Sequence, residues 1–140
     1  MTTPDEMNKP IIAEFRANGG VVGSWLKGAP VVLVTTKGAK SGTPMTFPLV
    51  YLPDGERVVI FASKGGAPKN PGWYYNLVKN GSASIEVGTD KYDVDVAEVK
   101  GPERDALYTR QVAAFAGFGE YAEKTKGIRV IPVLALTRKA

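Results

Sequence analysis

Two basic, glycine-rich segments contain the residues best suited to bind a charged ligand. Loop 1 covers residues 35–42 and loop 2 covers residues 62–71. Both contain lysines and no acid, and their glycines leave backbone N–H groups accessible. Ammonium groups beside clustered N–H dipoles bind phosphate and carboxylate. The sequence therefore predicts an anion site, and two such loops can grip one elongated acidic molecule.

Loop 2 leads directly into a run of aromatic residues. Asn70 and Pro71 match the N-cap and the first position of a helix, which places Trp73, Tyr74 and Tyr75 in its first turn. Consecutive residues cannot share one face of a helix, so at least one of these rings points outward or toward a ligand. A phosphate held by loop 2 and a flat ring held by the aromatic residues fit a single molecule.

A second aromatic set consists of Phe115, Phe118 and Tyr121, which are three residues apart. This spacing predicts that the three rings lie on one side of a helical turn. Packing into the core is the default interpretation. The glycines between the rings weaken helix formation and favour the alternative, a flap that covers an apolar substrate.

The absence of two residue types excludes several kinds of chemistry. The chain has no cysteine and no histidine. This excludes thiolate nucleophiles, disulfides, imidazole-based triads and metal sites built from these ligands. We therefore predict no metal, and we expect that a bound cofactor supplies the chemistry if the protein is an enzyme.

The charge distribution and the hydropathy narrow the class of partner. The net charge is +4, but eight of the fourteen acids follow residue 89, so the basic character is local to the loops. No nucleic-acid-binding signature, P-loop or dinucleotide fingerprint is present. No apolar stretch approaches the length of a membrane span, and we expect a cytoplasmic protein. Peripheral membrane contact through a helix with Ile11, Ile12 and Phe15 is a weakly supported alternative.

Apolar periodicity and turn residues predict one mainly β domain with helices over residues 1–140, with an N-terminal helix and loop at residues 1–28. The predicted strands cover residues 31–36, 45–52, 57–63, 82–87, 91–99 and 129–137, and the predicted helices cover residues 5–18, 71–80 and 101–116, with a helical turn at Tyr121. Residues 45–52 and 57–63 are predicted to pair as a hairpin, as are residues 82–87 and 91–99. Six strands joined by turns, without βαβ alternation, predict an antiparallel β-barrel surrounded by helices (α+β).

Four motifs together resemble one known family. They are Val-Thr-Thr-x-Gly-x-Lys-Ser-Gly at residues 34–42, Pro-Leu-Val-Tyr at 48–51, Ala-Ser-Lys-Gly-Gly-x-x-Lys-Asn-Pro-x-Trp-Tyr-x-Asn-Leu at 62–77, and Ile-Pro-Val-Leu at 131–134. Across residues 30–136 the chain resembles the deazaflavin-dependent nitroreductase family of actinobacteria. The resemblance implies a small split β-barrel of the FMN-binding type. It also implies reduced coenzyme F420, an 8-hydroxy-5-deazaflavin, as hydride donor to quinones, nitroaromatics or activated enones.

The resemblance also implies roles for individual residues. The coenzyme-binding positions are Ala39, Lys40, Ser41, Met45, Thr46, Phe47, Pro48, Leu49, Val50, Phe61, Ala62, Ser63, Lys64, Lys69, Gly72, Trp73, Tyr74, Tyr75, Asn76 and Phe118. Phe115, Phe118 and Tyr121 match substrate-pocket aromatics, and Ser63 matches a serine beside the reacting centre. Ser63 or Tyr121 is expected to donate a hydrogen bond or proton to the charge that develops on the acceptor.

Two departures from the family pattern affect these expectations. Met45 stands where many members carry an arginine, so Lys40, Lys64 and Lys69 would hold more of the charge of the coenzyme's phosphate and glutamate tail. Phe115 and Phe118 replace tyrosines of the best-known nitroreductase member. The missing hydroxyls bear on nitroimidazole reduction, whereas binding of a flat apolar acceptor does not need them.

Other functions stay open at this stage. An FMN-dependent oxidoreductase of a related split barrel would use the same loops for a single phosphate. A non-catalytic F420 carrier would bind the coenzyme without turnover. Both a monomer and a homodimer fit the sequence.

Overall fold

The computed structural model describes residues 4–22, 29–38 and 40–139, with side chains from residue 8 onward. Its helices are α1 (Pro4–Ala17), α2 (Gly72–Asn80), α3 (Gly101–Ala114) and α4 (Gly117–Thr125), with one turn of 3-10 helix at Lys64–Gly66. Its strands are β1 (Val31–Lys37), β2 (Pro44–Val50), β3 (Leu52–Asp54), β4 (Arg57–Phe61), β5 (Ser82–Val87), β6 (Asp90–Val99) and β7 (Val133–Arg138). The predicted mainly β architecture with helices is confirmed.

The seven strands form one antiparallel sheet in the order β2-β1-β5-β6-β7-β4-β3. The two edge strands, β2 and β3, are consecutive in the chain and are separated only by Tyr51. An open sheet of this order would place them about 29 Å apart, at roughly 4.8 Å for each strand step. One residue cannot span that distance, so the sheet must curl until its edges meet. The chain thus crosses the seam of a barrel at Tyr51, whose N–H donates to the carbonyl of Pro30.

The predicted hairpin of residues 45–52 with 57–63 is wrong. The β2 strand pairs with β1, from Val31 opposite Val50 to Lys37 opposite Pro44. Only the short β3 pairs with β4, around a turn at residues 55–56. Alternation of apolar and polar residues marks a strand but does not identify its partner, which is why the sequence merged β2 and β3.

The last strand is also shorter than predicted. It begins at Val133 instead of residue 129, since Pro132 has no N–H for the sheet ladder. The hairpin of β5 with β6 is confirmed. Gly81 follows α2 with a φ of 68°, a left-handed conformation that ends the helix where the sequence placed the stop.

The core has two layers because β4 and β7 are buried on both faces. Val58 and Ile60 pack inside the barrel, where α2 contributes the fully buried Leu77. Val59 and Phe61 face the other way and pack against α3 and α4. Strands covered on both faces read as continuous apolar runs, as these two do.

The N-terminal helix covers the outer face of β1. Phe15, which is 1% exposed, packs there with Val31 and Leu33, and Ile11 and Ile12 lie against the same cluster. The apolar side of α1, on which membrane contact would depend, therefore faces the sheet. In the described ranges, no helix has the length and apolar character needed to cross a membrane.

Candidate functional site

A mostly apolar cavity of about 450 Å³ opens where β2, β4, α2 and α4 converge. It is lined by Pro48, Leu49, Val50, Phe61, Ser63, Lys64, Pro71, Trp73, Phe115, Ala116, Gly117, Phe118 and Tyr121. Its lining residues include Ser63 and Tyr121, which carry hydroxyl groups, and the exposed Lys64, which carries an ammonium group. A slot with apolar walls, one cation and two hydroxyls suits a flat, partly acidic ligand.

Loop 2 begins where β4 ends at Phe61. The Phe61 ring meets those of Tyr108 and Phe118 edge-on, at centroid distances of 5.7 and 5.8 Å. This packing holds the strand end against α3 and α4. Ser63 follows two residues later, is 8% exposed and lines the cavity. The side chains best placed for chemistry thus start from a rigid strand end.

Lys64 has an unusual backbone conformation. Its φ is 47°, the one positive value at a non-glycine position among the described residues. The left-handed region costs an ordinary residue about 1 to 2 kcal/mol. Such strain persists only where surrounding contacts enforce it, and it is concentrated at functional sites. Arg129 and α4 both contact residues next to Lys64 in loop 2.

The guanidinium of Arg129 binds loop 2 through four hydrogen bonds. Its Nε donates to the carbonyl of Ala67 at 3.0 Å, and its Nη2 donates to the carbonyl of Ser63 at 2.9 Å. Its Nη1 donates to the carbonyl of Ala62 at 3.1 Å and to Oδ1 of Asn70 at 2.9 Å. Burial lowers the pKa of this guanidinium, which nevertheless stays charged at neutral pH. In the described part of the chain, no ion pair includes Arg129.

Helix α4 packs closely on loop 2 at Gly66. This glycine has a φ of 84°, and a Cβ atom there would lie 2.9 Å from Cδ of Lys124 and 3.2 Å from Cα of Tyr121. The hydroxyl of Tyr108 donates to the carbonyl of Phe118 at 2.6 Å, which anchors the start of α4 on α3. Helix α4 therefore packs directly against loop 2.

For the second aromatic set, core packing is confirmed at Phe118 and Tyr121, and the flap stays a prediction. Phe118 and Tyr121 pack on the core cluster and also line the cavity, with their rings 5.3 Å apart. Phe115 lies between α3 and α4 and lines the cavity as well. The side of α4 that carries Phe118 and Tyr121 therefore packs on the core and also forms cavity wall.

The three consecutive aromatic residues of α2 divide as the sequence requires. Trp73 lines the cavity and stacks on Phe47 at 5.5 Å. Tyr74 turns away and donates its hydroxyl to Oε1 of Glu98 at 2.7 Å. Burial and this carboxylate raise the pKa of Tyr74 to about 12. Tyr75 is 56% exposed, so only Trp73 contributes to the cavity.

The predicted N-cap is wrong by one residue. Pro71 is the N-cap of α2 and Gly72 begins the helix, with no side-chain cap. The Asn70 side chain accepts from Arg129 instead. Because proline has no N–H to lose and its carbonyl accepts from Tyr74 N–H at 3.1 Å, the helix starts without a polar cap.

Loop 1 lies at the opposite end of α2. Asn80 at the helix end donates to the Lys37 carbonyl at 2.8 Å and to Oγ1 of Thr36 at 3.2 Å. Nine helical residues separate this point from loop 2 by about 13 Å. The loop closes on itself, since Gly38 N–H donates to the Thr43 carbonyl and Gly42 N–H to the Gly38 carbonyl, each at 2.9 Å.

Loop 1 also borders a different cavity. Its base contributes Lys37 to a polar cleft of about 640 Å³. That cleft is lined by Thr35, Thr36, Lys37, Pro44, Asn80, Ser82, Ala83, Ser84, Asp93 and Lys139, and it shares no lining residue with the apolar cavity. The two basic loops are therefore separate in space, although they look alike in sequence.

The predicted site residues fall into two groups. Around the apolar cavity lie Pro48, Leu49, Val50, Phe61, Ser63, Lys64, Trp73, Phe115, Phe118 and Tyr121. Outside its lining lie Lys40, Ser41, Met45, Thr46, Phe47, Ala62, Lys69, Gly72, Tyr74, Tyr75 and Asn76. Phe47 and Ala62 are buried beneath it, and Met45 faces Lys9 and Ile12 of α1. Ala39 lies outside the described residues.

Sequence reasoning missed Pro71, Ala116, Gly117 and above all Arg129. A signal for Arg129 was present, because a lone arginine opens an otherwise apolar segment, Val130–Val133, that was assigned to a strand. Among the described residues no group of three or more acids could hold a metal ion.

Comparison with known proteins agrees with the geometry. The family described as F420H(2)-dependent quinone reductase matches residues 9–138. The F420H(2)-dependent quinone reductase Rv1261c of Mycobacterium tuberculosis is 36% identical over 129 residues, which cover 91% of this chain and 87% of that protein.

Two solved structures share both fold and sequence with this chain. An F420-H2 dependent reductase, FDR-A, has a TM-score of 0.70 at 38% identity and covers 76% of this chain and 93% of its own. A protein described as a domain-swapped dimer has a TM-score of 0.72 at 32% identity and covers 96% of this chain and 99% of its own. The family match spans both loops and every residue of the apolar cavity, and the chain belongs to the F420H(2)-dependent quinone reductase family.

Proposed function

We propose that this protein reduces a small, electron-poor acceptor of the quinone class with reduced F420, and that both molecules meet in the apolar cavity. The observation that carries this proposal is the cavity itself, where apolar residues, Lys64, Ser63 and Tyr121 line one space of about 450 Å³. When bound, the reduced deazaflavin supplies a hydride.

The cavity fits such a coenzyme on three counts. Pro48, Leu49 and Trp73 offer flat apolar surface for a ring system. Lys64 brings a cation to the same wall, which suits the acidic part of the molecule. Arg129 adds a second positive charge behind loop 2 without a carboxylate to neutralise it among the described residues.

The residues on the α4 side would bind the acceptor. Phe115, Phe118 and Tyr121 line that wall, and a quinone ring is flat and apolar as they are. An acceptor that gains a hydride also needs a proton on its oxygen. Ser63 and Tyr121 both line the cavity and carry hydroxyl groups, which are the candidate hydrogen-bond donors to that oxygen as negative charge develops.

The acidic tail of the coenzyme would leave the cavity at Lys64. Lys69 is exposed on the same loop and extends the positive surface. Lys40 is exposed on loop 1, which meets the far end of the α2 helix of about 13 Å, and would meet only the far part of a long tail. Met45 faces α1 and adds no charge to this path.

The test is a turnover assay with purified protein, reduced F420 and menadione as the quinone. We expect F420 oxidation that requires both protein and quinone. A Ser63→Ala, Tyr121→Phe double variant should lose at least about tenfold in kcat, because both proton donors are gone. Coenzyme binding without quinone-dependent oxidation would contradict the proposal and identify a carrier.

A binding titration separates the two cofactors. Oxidised F420 should bind and should be displaced weakly, if at all, by FMN at equal concentration. Tight FMN binding together with no F420 binding would overturn the proposal in favour of an FMN-dependent oxidoreductase.

A further inference from the structure

Besides the packing of α4 at Gly66, one side chain from a distant part of the chain binds loop 2 along most of its length. Arg129 follows α4 and lies more than fifty residues from the loop, yet it binds the carbonyls of Ala62, Ser63 and Ala67 and the side chain of Asn70. These acceptors span the loop from its first residue nearly to its last. A planar guanidinium with donors in a fixed fork is the one side chain that can satisfy such a set.

The loop has few other means of keeping its shape. Its internal backbone bonds are the short-range ones of the 3-10 turn, from Gly66 N–H to Ser63 and from Ala67 N–H to Lys64. Lys64, which lies within this turn, has the strained φ of 47°. Ala62 and Ser63 are buried, and both carbonyls accept from the guanidinium. Its removal would take this donor from the Ala62 carbonyl and leave the Ser63 carbonyl with the Gly66 N–H.

We infer that Arg129 is a positioning residue, whose hydrogen-bonding fork holds Ser63 and Lys64 in the conformation that binds the coenzyme. It reaches the site through loop 2 and does not line the cavity itself. The coenzyme part of this inference rests on the proposed function, while the effect on the loop does not.

The experiment uses limited trypsin digestion of the full chain, because trypsin cleaves after lysine. Lys64 and Lys69 report the opening of loop 2, and Lys40 in loop 1 reports on a site that Arg129 does not contact. Cleavage rates measure the population of the locally open state when opening is fast. The variants are Arg129→Gln, which removes the charge and the fork, and Arg129→Lys, which keeps the charge and an ammonium donor group but not the planar fork.

We expect both variants to be cleaved after Lys64 and Lys69 about tenfold faster than the parent protein, with unchanged cleavage after Lys40. Equal acceleration at all three lysines would overturn the inference, because it would mean general destabilisation. Rates restored to the parent value in Arg129→Lys would also overturn it, since charge alone would then suffice. Arg16→Gln, which removes an exposed arginine paired with Glu86, is the charge-matched control and should change none of these rates.

A second readout is the affinity for oxidised F420, followed by fluorescence without turnover. We expect the Kd to rise about tenfold in both Arg129 variants and to stay unchanged in Arg16→Gln. Unchanged affinity in a variant with an open loop would contradict the positioning role. Failure of the parent protein to bind F420 would count against the proposed function instead, and the proteolysis result would still decide whether Arg129 orders the loop.

Discussion

The two basic loops are nearly interchangeable in sequence and differ in almost every tertiary contact. Loop 1 is a turn closed by its own backbone, with Lys40, Ser41 and Gly42 exposed. Loop 2 is bound by Arg129, covered by α4 at Gly66 and opens onto the apolar cavity. Because both loops contain lysine and glycine, they have a similar capacity to bind anions. Only the surroundings turn loop 2 into part of a site, and this difference can be tested at matched positions.

The largest expected effect is on stability, at one glycine of each loop. Gly66→Ala combines a φ of 84° with Cβ contacts of 2.9 and 3.2 Å to α4, so we expect a loss of about 3 kcal/mol. Gly42→Ala combines a φ of 70° with empty space within 4 Å, so strain alone should cost about 1 kcal/mol. Urea denaturation midpoints measure both. Equal losses would mean that α4 does not constrain loop 2.

The next-largest effect is also on stability, at two asparagines: Asn70 of loop 2 and Asn80, which binds loop 1. Asn70→Ala removes an acceptor from the charged Arg129, and we expect a loss of about 2 kcal/mol. Asn80→Ala removes two bonds to Thr36 and Lys37 that are partly open to water, which should cost about 1 kcal/mol or less. Thermal unfolding checks the order. A greater loss for Asn80→Ala would reverse the ranking of the two anchors.

A third effect concerns binding of the coenzyme. Lys64→Ala should raise the Kd for oxidised F420 about tenfold, because Lys64 lines the cavity and its substitution removes a positive charge there. Lys40→Ala should raise it about twofold, as expected for an exposed charge at a distance. Fluorescence titration at two salt concentrations measures both. A larger change in Kd for Lys40→Ala would mean that the coenzyme's acidic tail binds at loop 1 instead.

The smallest effect is a pH dependence in α2, the helix that joins the loops. The pKa of Tyr74 is raised from 10.0 to about 12, so its neutral form stabilises the folded state below pH 10, and this contribution disappears as the pH rises toward 12. Tyr74→Phe should be less stable at neutral pH, and the gap should close by less than about 1 kcal/mol between pH 10 and 12, since the side chain is partly exposed. A gap that widens would contradict the assignment of the Glu98 hydrogen bond.

Much of the architecture was readable from local patterns. The β5–β6 hairpin and the helix stop at Gly81 follow from alternation and turn residues, which act over a few positions. The pairing of β2 with β1 was not readable, because apolar alternation in β2 fits either neighbour. The residues of the site likewise divide into those that could be read from local patterns and one that could not. Ser63, Lys64 and Trp73 belong to a dense local motif, while Arg129 is joined to them only through the fold.

By itself, the sequence determined the chemistry that the chain can offer: lysine, serine and aromatic groups, no cysteine or histidine, and motifs that resemble a deazaflavin-binding family. The tertiary structure alone decided which of the two similar loops faces the cavity and which of three adjacent rings lines it. The physical reason is the separation in sequence between the residues that interact. Turns are set by residues that are neighbours in the chain. The strained conformation of Lys64 and the hydrogen bonds of Arg129 to loop 2 depend instead on strands and helices that meet only after the barrel has closed.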